Sequence, residues 1–265
     1  MFSTHTQFCG YECVDQPYCG SPSTTYTCIK LSLILVDDHS DDGTNIKELA
    51  AKHLRGDAYF VDAYYSGREG VANARNEGLI KAKAIGANYI TFLDADDELA
   101  PDAYDQIKAA IAEAPDAPII QLNHAFAKTD GSKWPRLPNK RGTYELSNLP
   151  KLWASSCNKI IKADIVKAIR FPDLRHGEDE IFILECLAKA RRIYNSERIA
   201  LYYHKDNPNS LSASTTLDDI IGEQVALLEF LDDHRDDKEI CEAIRIRQSE
   251  LWINPTYKRA IGGKA

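Results

Sequence analysis

The segment 92–97, with the sequence FLDADD, places three carboxylates directly after a short apolar run. Like charges this close repel one another unless a cation lies among them, and hard oxygen ligands suit Mg²⁺ or Mn²⁺. Mg²⁺ is usually held by one or two carboxylates together with substrate phosphates. A D-x-D pattern occurs by chance on many surfaces, but at the end of a buried strand it predicts a metal site for a phosphorylated ligand.

A second group of acids follows the apolar residues 33–36. Asp37 and Asp38 come first, and the polar residues 40–42 come next. Acids at the carboxyl end of a strand face the ligand crevice of an α/β sheet, where a carboxylate accepts hydrogen bonds from a base N–H or a ribose hydroxyl. We therefore expect Asp38 to contact a ligand, whereas residues 40–42, Ser-Asp-Asp, are more typical of an Asx turn that caps the next helix.

Two further segments carry charges that chemistry could use. In residues 70–78, GVANARNEG, small side chains let a helix lie close to a sheet, and Arg75 offers a fixed fork of donors. An ion pair with a nearby acid would explain Arg75 equally well. Residues 177–180, GEDE, place acids at a predicted helix N-terminus. The helix dipole stabilises a carboxylate there, so capping alone would explain one of the two acids Glu178 and Asp179. The other would then be free to act as a general base.

These residues need an α/β scaffold to bring them together. From residue 31 onwards, apolar runs alternate with helical patterns, which predicts a mostly parallel central sheet with helices on both faces. Strands are predicted over 33–36, 59–62, 89–93 and 119–127, and a strand pair over 192–204. Helices are predicted over 46–54, 70–85, 101–113 and 178–190. Ser66 and Glu69 have the spacing of a capping box before the second helix, and 129–142 is predicted to be a mobile loop over the site.

Composition limits the function. The 265 residues carry a formal net charge of −8, which argues against a nucleic-acid binder, because affinity for a phosphate backbone comes from clustered Lys and Arg. No run of about 18 apolar residues is present, so no membrane-spanning helix is expected. The N-terminus lacks the charged and apolar regions of a secretory signal, which favours a cytoplasmic protein.

Taken together, the motifs resemble those of the family 2 glycosyltransferases of bacterial envelope polysaccharide synthesis. The resemblance covers roughly residues 32–215, and its ordered motifs are more specific than any one of them. The matching segments are V-D-D-x-S-x-D-G-T at 36–44, G-V-A-x-A-R-N-x-G at 70–78, F-L-D-A-D-D at 92–97, C-N-K-I-I at 157–161, F-P at 171–172, G-E-D-E at 177–180 and Y-Y-H-x-x-x-x-x-S-L-S at 202–212. The resemblance implies a GT-A fold.

The resemblance also implies roles for individual residues. Asp38, beside Asp37, would hold the base of the nucleotide, and Arg75 would help to fix the base end. Asp94 would contact the ribose or the donor sugar, and Asp96 would bind the metal that bridges the diphosphate.

On the acceptor side, Asp179, with Glu178 beside it, would be the catalytic base. His204 and Ser210 fall where the family often contacts phosphate, which makes Ser210 a donor-binding candidate and His204 a further metal-ligand candidate. His204 could equally be a packed strand histidine.

The implied function is inverting transfer of a sugar, dependent on Mn²⁺ or Mg²⁺, from a UDP-sugar to a glycan or lipid-linked acceptor in envelope synthesis. A lipid-linked acceptor would bring this cytoplasmic protein to the inner face of the plasma membrane as a peripheral protein. The alternatives are an inactive or truncated glycosyltransferase-like binding protein, a receiver domain phosphorylated on aspartate, and a phosphatase of the haloacid dehalogenase type with Asp94 as nucleophile.

The predicted domain organisation has three parts. Residues 31–215 form the GT-A domain, and residues 216–265 form a C-terminal helical appendage. Residues 1–30 depart from the family, because no apolar first strand is recognisable there. Without that strand the central sheet would have an unpaired edge.

Overall fold

The computed structural model describes residues 5–14, 28–41, 43, 45–53, 59–128, 130–136, 140–149, 155–204, 210–251 and 255–260. Within these residues, ten strands form one sheet. The strands are β1 (His5–Val14), β2 (Cys28–Asp37), β3 (Tyr59–Tyr65), β4 (Tyr89–Asp94), β5 (Glu98–Leu99), β6 (Ile119–Ala127), β7 (Lys133–Arg136), β8 (Gly142–Glu145), β9 (Lys159–Lys162) and β10 (Arg192–His204). The helices are α1 (Ile46–His53), α2 (Val71–Ala84), α3 (Ala103–Glu113), α4 (Glu178–Ala190), α5 (Leu217–Asp233), α6 (Lys238–Leu251) and α7 (Pro255–Ala260).

The strand order is β3-β2-β1-β4-β9-β6-β10-β5, with β7 beside β6 and β8 beside β10. The long strands β2, β3, β4, β6 and β10 all run in one direction, while β1 and β9 lie antiparallel between members of that set. The sheet is therefore mixed, and the predicted predominance of parallel pairing is wrong. Shared direction still brings the carboxyl ends of β2 and β4 to one rim, which is what ligand binding at an α/β sheet requires.

The first thirty residues contain a strand that the sequence does not reveal. β1 pairs antiparallel with both β2 and β4, with His5 opposite Asp37 and Thr6 opposite Asp94. Main-chain hydrogen bonds build a ladder without any need for alternating apolar side chains, which explains why the pattern gave no signal. β2 thus has a neighbour on each side, and the unpaired edge expected there is absent from the described part of the sheet.

Helices cover both faces of the sheet, as predicted. On one face α2, α4, α5, α6 and α7 share a core with β4, which includes Phe92, Phe182 and Leu227. On the other face α3 packs against β6 and β10 through Ile107 and its neighbours, and α1 covers β2. Within the described residues, none of the helices combines the length and the apolar character needed to cross a bilayer.

Several local predictions change in the structure. The capping box is wrong: the N-cap of α2 is Gly70 without a side-chain bond, and the Ser66 hydroxyl instead donates to the carbonyl of Arg68. The segment 129–142, predicted as a mobile loop, contains the strand β7, which pairs with β6. Positions 129 and 137–139 lie outside the described residues. The strand pair over 192–204 is one strand, β10, with register shifts between Ser196 and Leu201.

Candidate active site

Arg75 joins three carboxylates that come from two distant parts of the chain. Its Nη1 lies 2.6 Å from Glu178 Oε1 and 3.0 Å from Asp179 Oδ1, and its Nη2 lies 2.7 Å from Asp94 Oδ1. The Arg75 side chain is only 3% exposed. The guanidinium fork therefore ties the end of β4 to the start of α4 inside the protein, where charge-assisted hydrogen bonds are strong.

Small residues and aromatic packing hold Arg75 in this position. Ala72, Ala74 and Gly78 are buried on α2, which lets the helix approach the sheet as the sequence predicts. The guanidinium carbon lies 5.4 Å from the centre of the Phe171 ring, within the range of a cation–π contact. Phe171 is fixed in turn, because its ring stacks on Phe182 at 3.8 Å between centroids.

Asp38 connects the end of β2 to the start of α2. The backbone N–H of Gly70 donates to Asp38 Oδ1 at 2.8 Å, and Gly70 adopts φ +121°, which few residues other than glycine tolerate. Burial raises the pKa of Asp38, although the Gly70 hydrogen bond opposes the shift. Asp38 thus contacts the start of the helix that carries Arg75, and it follows β2 at the same rim of the sheet as Asp94.

Asp37 forms the turn that was predicted for its neighbours. Its Oδ1 accepts a hydrogen bond from the Ser40 backbone N–H at 3.1 Å, and its Oδ2 is buried without a hydrogen-bond partner among the described residues. The cap of α1 is Asn45, whose Oδ1 accepts from the N–H groups of Lys47 and Glu48. The capping role expected of residues 40–42 is therefore taken by Asn45, and Asp42 itself lies outside the described residues.

The acids after β4 form the group that could hold a cation. Ligand atoms of Asp94, Asp97 and Cys157 all lie within 4.8 Å of one another. Asp97 Oδ1 accepts the backbone N–H of His204 at 3.1 Å, while its buried Oδ2 has no hydrogen-bond partner among the described residues. Burial, with the charges of Asp94 and Asp96, raises the pKa of Asp97 to about 8.

The donor set suits a hard cation through its carboxylates. An orphaned, buried carboxylate oxygen next to another acid is stabilised when a positive ion joins it. Burial also raises the pKa of the Cys157 thiol well above its usual value, and a protonated thiol is a poor ligand for Mg²⁺ or Mn²⁺. Asp94 and Asp97 therefore fit the metal better than Cys157 does.

The two residues predicted as metal ligands lie around this group rather than in it. Asp96 is exposed on the turn between Asp94 and Asp97. The ring of His204 faces Glu98, with 3.6 Å between His204 Nε2 and Glu98 Oε2. The sequence motifs assign no role to Asp97, although it is the third acid of the same segment. Its burial, which the sequence does not show, distinguishes it from Asp96.

Glu178 and Asp179 occupy the first turn of α4, after Gly177 with φ +82°. Burial raises the pKa of Glu178 to about 7, and burial also raises the pKa of Asp179, while Arg75 opposes both shifts. The Asp179 side chain is 19% exposed, compared with 9% for Glu178. Asp179 is thus the more accessible of the two carboxylates to a bound molecule.

Ser210 has a local structural use. Its hydroxyl accepts a hydrogen bond at 3.2 Å from the backbone N–H of Ala213 and so caps the short 3-10 helix Leu211–Ser214. Among the predicted site residues, the structure joins Arg75, Asp94, Glu178 and Asp179 by direct contacts, whereas Asp38 contacts the start of α2. It places His204 next to Asp97 through the backbone.

Proteins of related sequence are glycosyltransferases by name. The chain is 29% identical over 165 residues to an uncharacterized glycosyltransferase of Haemophilus influenzae, which covers 61% of this chain and 62% of the relative. It is 29% identical over 124 residues to the uncharacterized glycosyltransferase YibD of Escherichia coli, which covers 46% of this chain and 34% of the relative. The matches therefore span less than two thirds of the length of either relative.

Solved structures of S. aureus TarS 1-349 have a similar fold. The complex with UDP-GlcNAc superposes with a TM-score of 0.62 at 20% identity, over 86% of this chain and 70% of that chain. The complex with UDP gives a TM-score of 0.61 at 20% identity, over 87% and 65%. At this identity the likeness concerns the fold, and it confirms that the protein has the GT-A fold.

The family comparison covers the region that contains the rim of the sheet. The model of Glycosyl transferase family 2 matches residues 23–170, which is more than half of the chain and includes Asp38, Arg75 and Asp94. Glu178 and Asp179 lie just beyond the matched range and are joined to it by Arg75. The protein therefore belongs to glycosyl transferase family 2.

Proposed function

We propose that this protein transfers a sugar from a UDP-sugar to a hydroxyl group of a glycan or a lipid-linked acceptor, with inversion at the anomeric carbon. The observation that carries the proposal is the convergence of Asp94, Glu178 and Asp179 on Arg75, at the rim where Asp38 and Asp97 also lie. TarS, which shares the fold, binds UDP-GlcNAc and UDP. The transferase domain consists of residues 31–215 together with β1 and the start of β2, which precede residue 31 and belong to the same sheet, and residues 216–265 are a helical appendage.

On the donor side, Asp38 accepts hydrogen bonds from the base or ribose of the nucleotide, with Asp37 shaping the turn beneath it. Asp94 and Asp97, with the exposed Asp96, would hold Mn²⁺ or Mg²⁺. The chemistry that this cation supplies when bound is neutralisation of charge on the departing diphosphate.

On the acceptor side, Asp179 acts as the general base. As the acceptor oxygen forms its bond to the anomeric carbon, the bond from that carbon to the UDP oxygen breaks, and the hydroxyl proton moves to the Asp179 carboxylate. A raised pKa makes Asp179 a better proton acceptor, and Arg75 keeps the carboxylate ionised and oriented. Arg75 is then a positioning residue, since its buried fork is already engaged by three acids.

The remaining predicted residues have supporting roles. His204 donates its backbone N–H to Asp97 and so orients that carboxylate. Ser210 shapes the segment after β10. An acceptor linked to lipid would bring the protein to the inner face of the plasma membrane.

Metal dependence tests the donor site. Titration of UDP-hexoses by calorimetry is expected to show binding with Mn²⁺ present and little binding after chelation. Asp97→Asn is expected to weaken Mn²⁺-dependent binding about tenfold to a hundredfold, because a hydrogen bond or contact to a charged group is worth about 1.5–3 kcal/mol. Asp105→Asn, an exposed acid on α3, is the control and should change nothing.

Two results would count against this donor site. Equal binding of UDP-hexoses with and without Mn²⁺ would remove the cation from the proposal. Formation of an acyl phosphate on Asp94 from a small phosphodonor, without binding of UDP-hexoses, would favour the receiver or phosphatase alternative. UDP release in the presence of Mn²⁺ and a glycan acceptor would support the transferase.

A further inference from the structure

Helix α5 lies directly behind the residues that precede the catalytic carboxylates. We propose that Glu223 and Asp219 of α5 are positioning residues, which hold the segment 175–177 and thereby set the direction in which Glu178 and Asp179 enter the site. The catalytic part of this inference rests on the proposed function. Its structural part, an ordered start of α4, is independent of activity.

An ion pair and a hydrogen bond connect α5 to this segment. Arg175 Nη1 lies 2.7 Å from Asp219 Oδ2, and His176 Nδ1 lies 2.9 Å from Glu223 Oε2. Asp219 and Glu223 are four positions apart on α5, so they lie on one face of the helix. One face of a rigid helix therefore contacts two consecutive residues just before Gly177.

The contact at Gly177 is too close for any other residue. A Cβ atom built on Gly177 would lie 2.3 Å from Glu223 Cγ and 2.5 Å from Glu223 Cδ. Gly177 also adopts φ +82°, a conformation that glycine populates readily. Its carbonyl accepts the hydrogen bond from Ile181 that begins α4, at 3.2 Å. The Glu223 side chain thus packs against the backbone that immediately precedes Glu178.

Glu223 is a buried acid on a helix that also contributes apolar side chains to the core. It is 1% exposed, and α5 already buries Ile220, Leu227 and Phe230 in the core. Burial disfavours a charged imidazole, yet the hydrogen bond and charge of Glu223 outweigh it and raise the pKa of His176. Apolar side chains would attach α5 with a smaller loss of hydration free energy, because charged groups lose their hydration on burial. A buried polar pair, in contrast, can fix one orientation of the helix.

A second helix, α7, also interacts with Glu223. Tyr257 of α7 is 1% exposed, and burial together with the charge of Glu223 raises its pKa. Gln224 Nε2 donates to Tyr257 Oη at 3.4 Å. α5 therefore contacts segment 175–177 through polar groups, α7 contacts α5, and the helical appendage in this way takes part in the geometry of the site.

The test compares two substitutions on α5. Glu223→Ala is expected to lower kcat for sugar transfer about a hundredfold with the donor dissociation constant unchanged, because a misplacement of about 1 Å at a catalytic group costs that much. Glu223→Gln, which keeps a hydrogen-bonding group, should recover part of the loss. Leu227→Ala, one turn further along the same helix and fully buried, should lower the melting temperature but leave kcat of the folded protein nearly unchanged.

Hydrogen exchange separates this inference from the proposed function. Amides of residues 181–184, the first to be hydrogen-bonded within α4, should exchange at least about tenfold faster in Glu223→Ala than in Leu227→Ala, relative to amides of β6, because only the first variant frees the start of α4. If the wild-type protein transfers no sugar but this difference appears, the positioning role stands and the proposed function fails. Equal exchange in the two variants, or losses of kcat that simply follow the melting temperatures, would overturn the positioning role.

Discussion

Replacing Asp179 with asparagine is expected to lower kcat for sugar transfer by about 10²–10⁴-fold, the usual contribution of a general base. Asparagine has nearly the same shape and still accepts a hydrogen bond from Arg75, but it cannot take the proton of the acceptor hydroxyl. Donor binding should change little, because Asp38, Asp94 and Asp97 are intact. The measurement is UDP release at saturating donor and acceptor, with donor affinity measured separately.

Two further variants show whether the effect belongs to Asp179. Asp173→Asn is the control, because Asp173 is an exposed acid whose ion pair with Arg68 lies on the surface; its activity should equal that of the wild type. Glu178→Gln tests the neighbouring carboxylate. A large loss in Glu178→Gln together with normal activity in Asp179→Asn would move the role of the base to Glu178.

Arg75→Ala is expected to lower the free energy of unfolding by about 3–5 kcal/mol, because removal of one partner leaves buried charges without compensation. Three carboxylates contact this single guanidinium, and Glu178 is the most buried of them. The measurement is urea unfolding of the metal-free protein at several pH values. Activity should be lost as well, because the substitution removes the side chain that contacts both Asp94 and Asp179.

The pH dependence of that loss follows from the sign of the carboxyl shifts. Burial already raises the pKa of Glu178 to about 7 in the folded protein, above the ordinary 4.5 of the unfolded chain. Between these values the folded state keeps a proton that the unfolded state has released, so this group makes the unfolding free energy fall as pH rises. Without Arg75 the carboxyl pKa values rise further, and the variant should regain stability on acidification from about pH 8 towards pH 5.

Matched substitutions test this account of Arg75. Arg75→Lys keeps one charge but cannot form the fork, so its stability should lie between those of Arg75→Ala and the wild type. Arg68→Ala removes an exposed ion pair, which should cost less than about 1 kcal/mol. If Arg75→Ala also lowers the free energy of unfolding by less than about 1 kcal/mol, the three carboxylates do not depend on Arg75.

The sequence predicts the elements whose signal is local. Residues 119–127 and 178–190 match β6 and α4, since dense apolar runs or strong helical periodicity specify them without reference to the rest of the chain. Strand pairing is a long-range property, so the antiparallel insertion of β1 and β9 has no local signature. For the same reason the C-terminal helices were predicted as peripheral, although α5 contacts the segment before α4.

The candidate site also contains features with a local sequence signal and features without one. Acids at strand ends can be read from the sequence, because their position after an apolar run is local. The joining of Arg75 to Glu178 links residues 103 positions apart, and no spacing rule anticipates it. The role of Glu223 cannot be predicted from the sequence for another reason. Glu223 lies in a helix with many acids, and a carboxylate in such a helix is expected to be exposed to solvent.

The antiparallel strand β1 has a consequence for the size of the ligand. It separates β2 from β4, and neighbouring strands lie about 4.8 Å apart, so the ends of β2 and β4 stand roughly 9.6 Å from each other. A molecule that touches Asp38 with one end and Asp94 with the other must bridge this gap. The strand β1 therefore sets the spacing between the two rim acids, and a ligand that contacts both Asp38 and Asp94 has to extend across the end of β1.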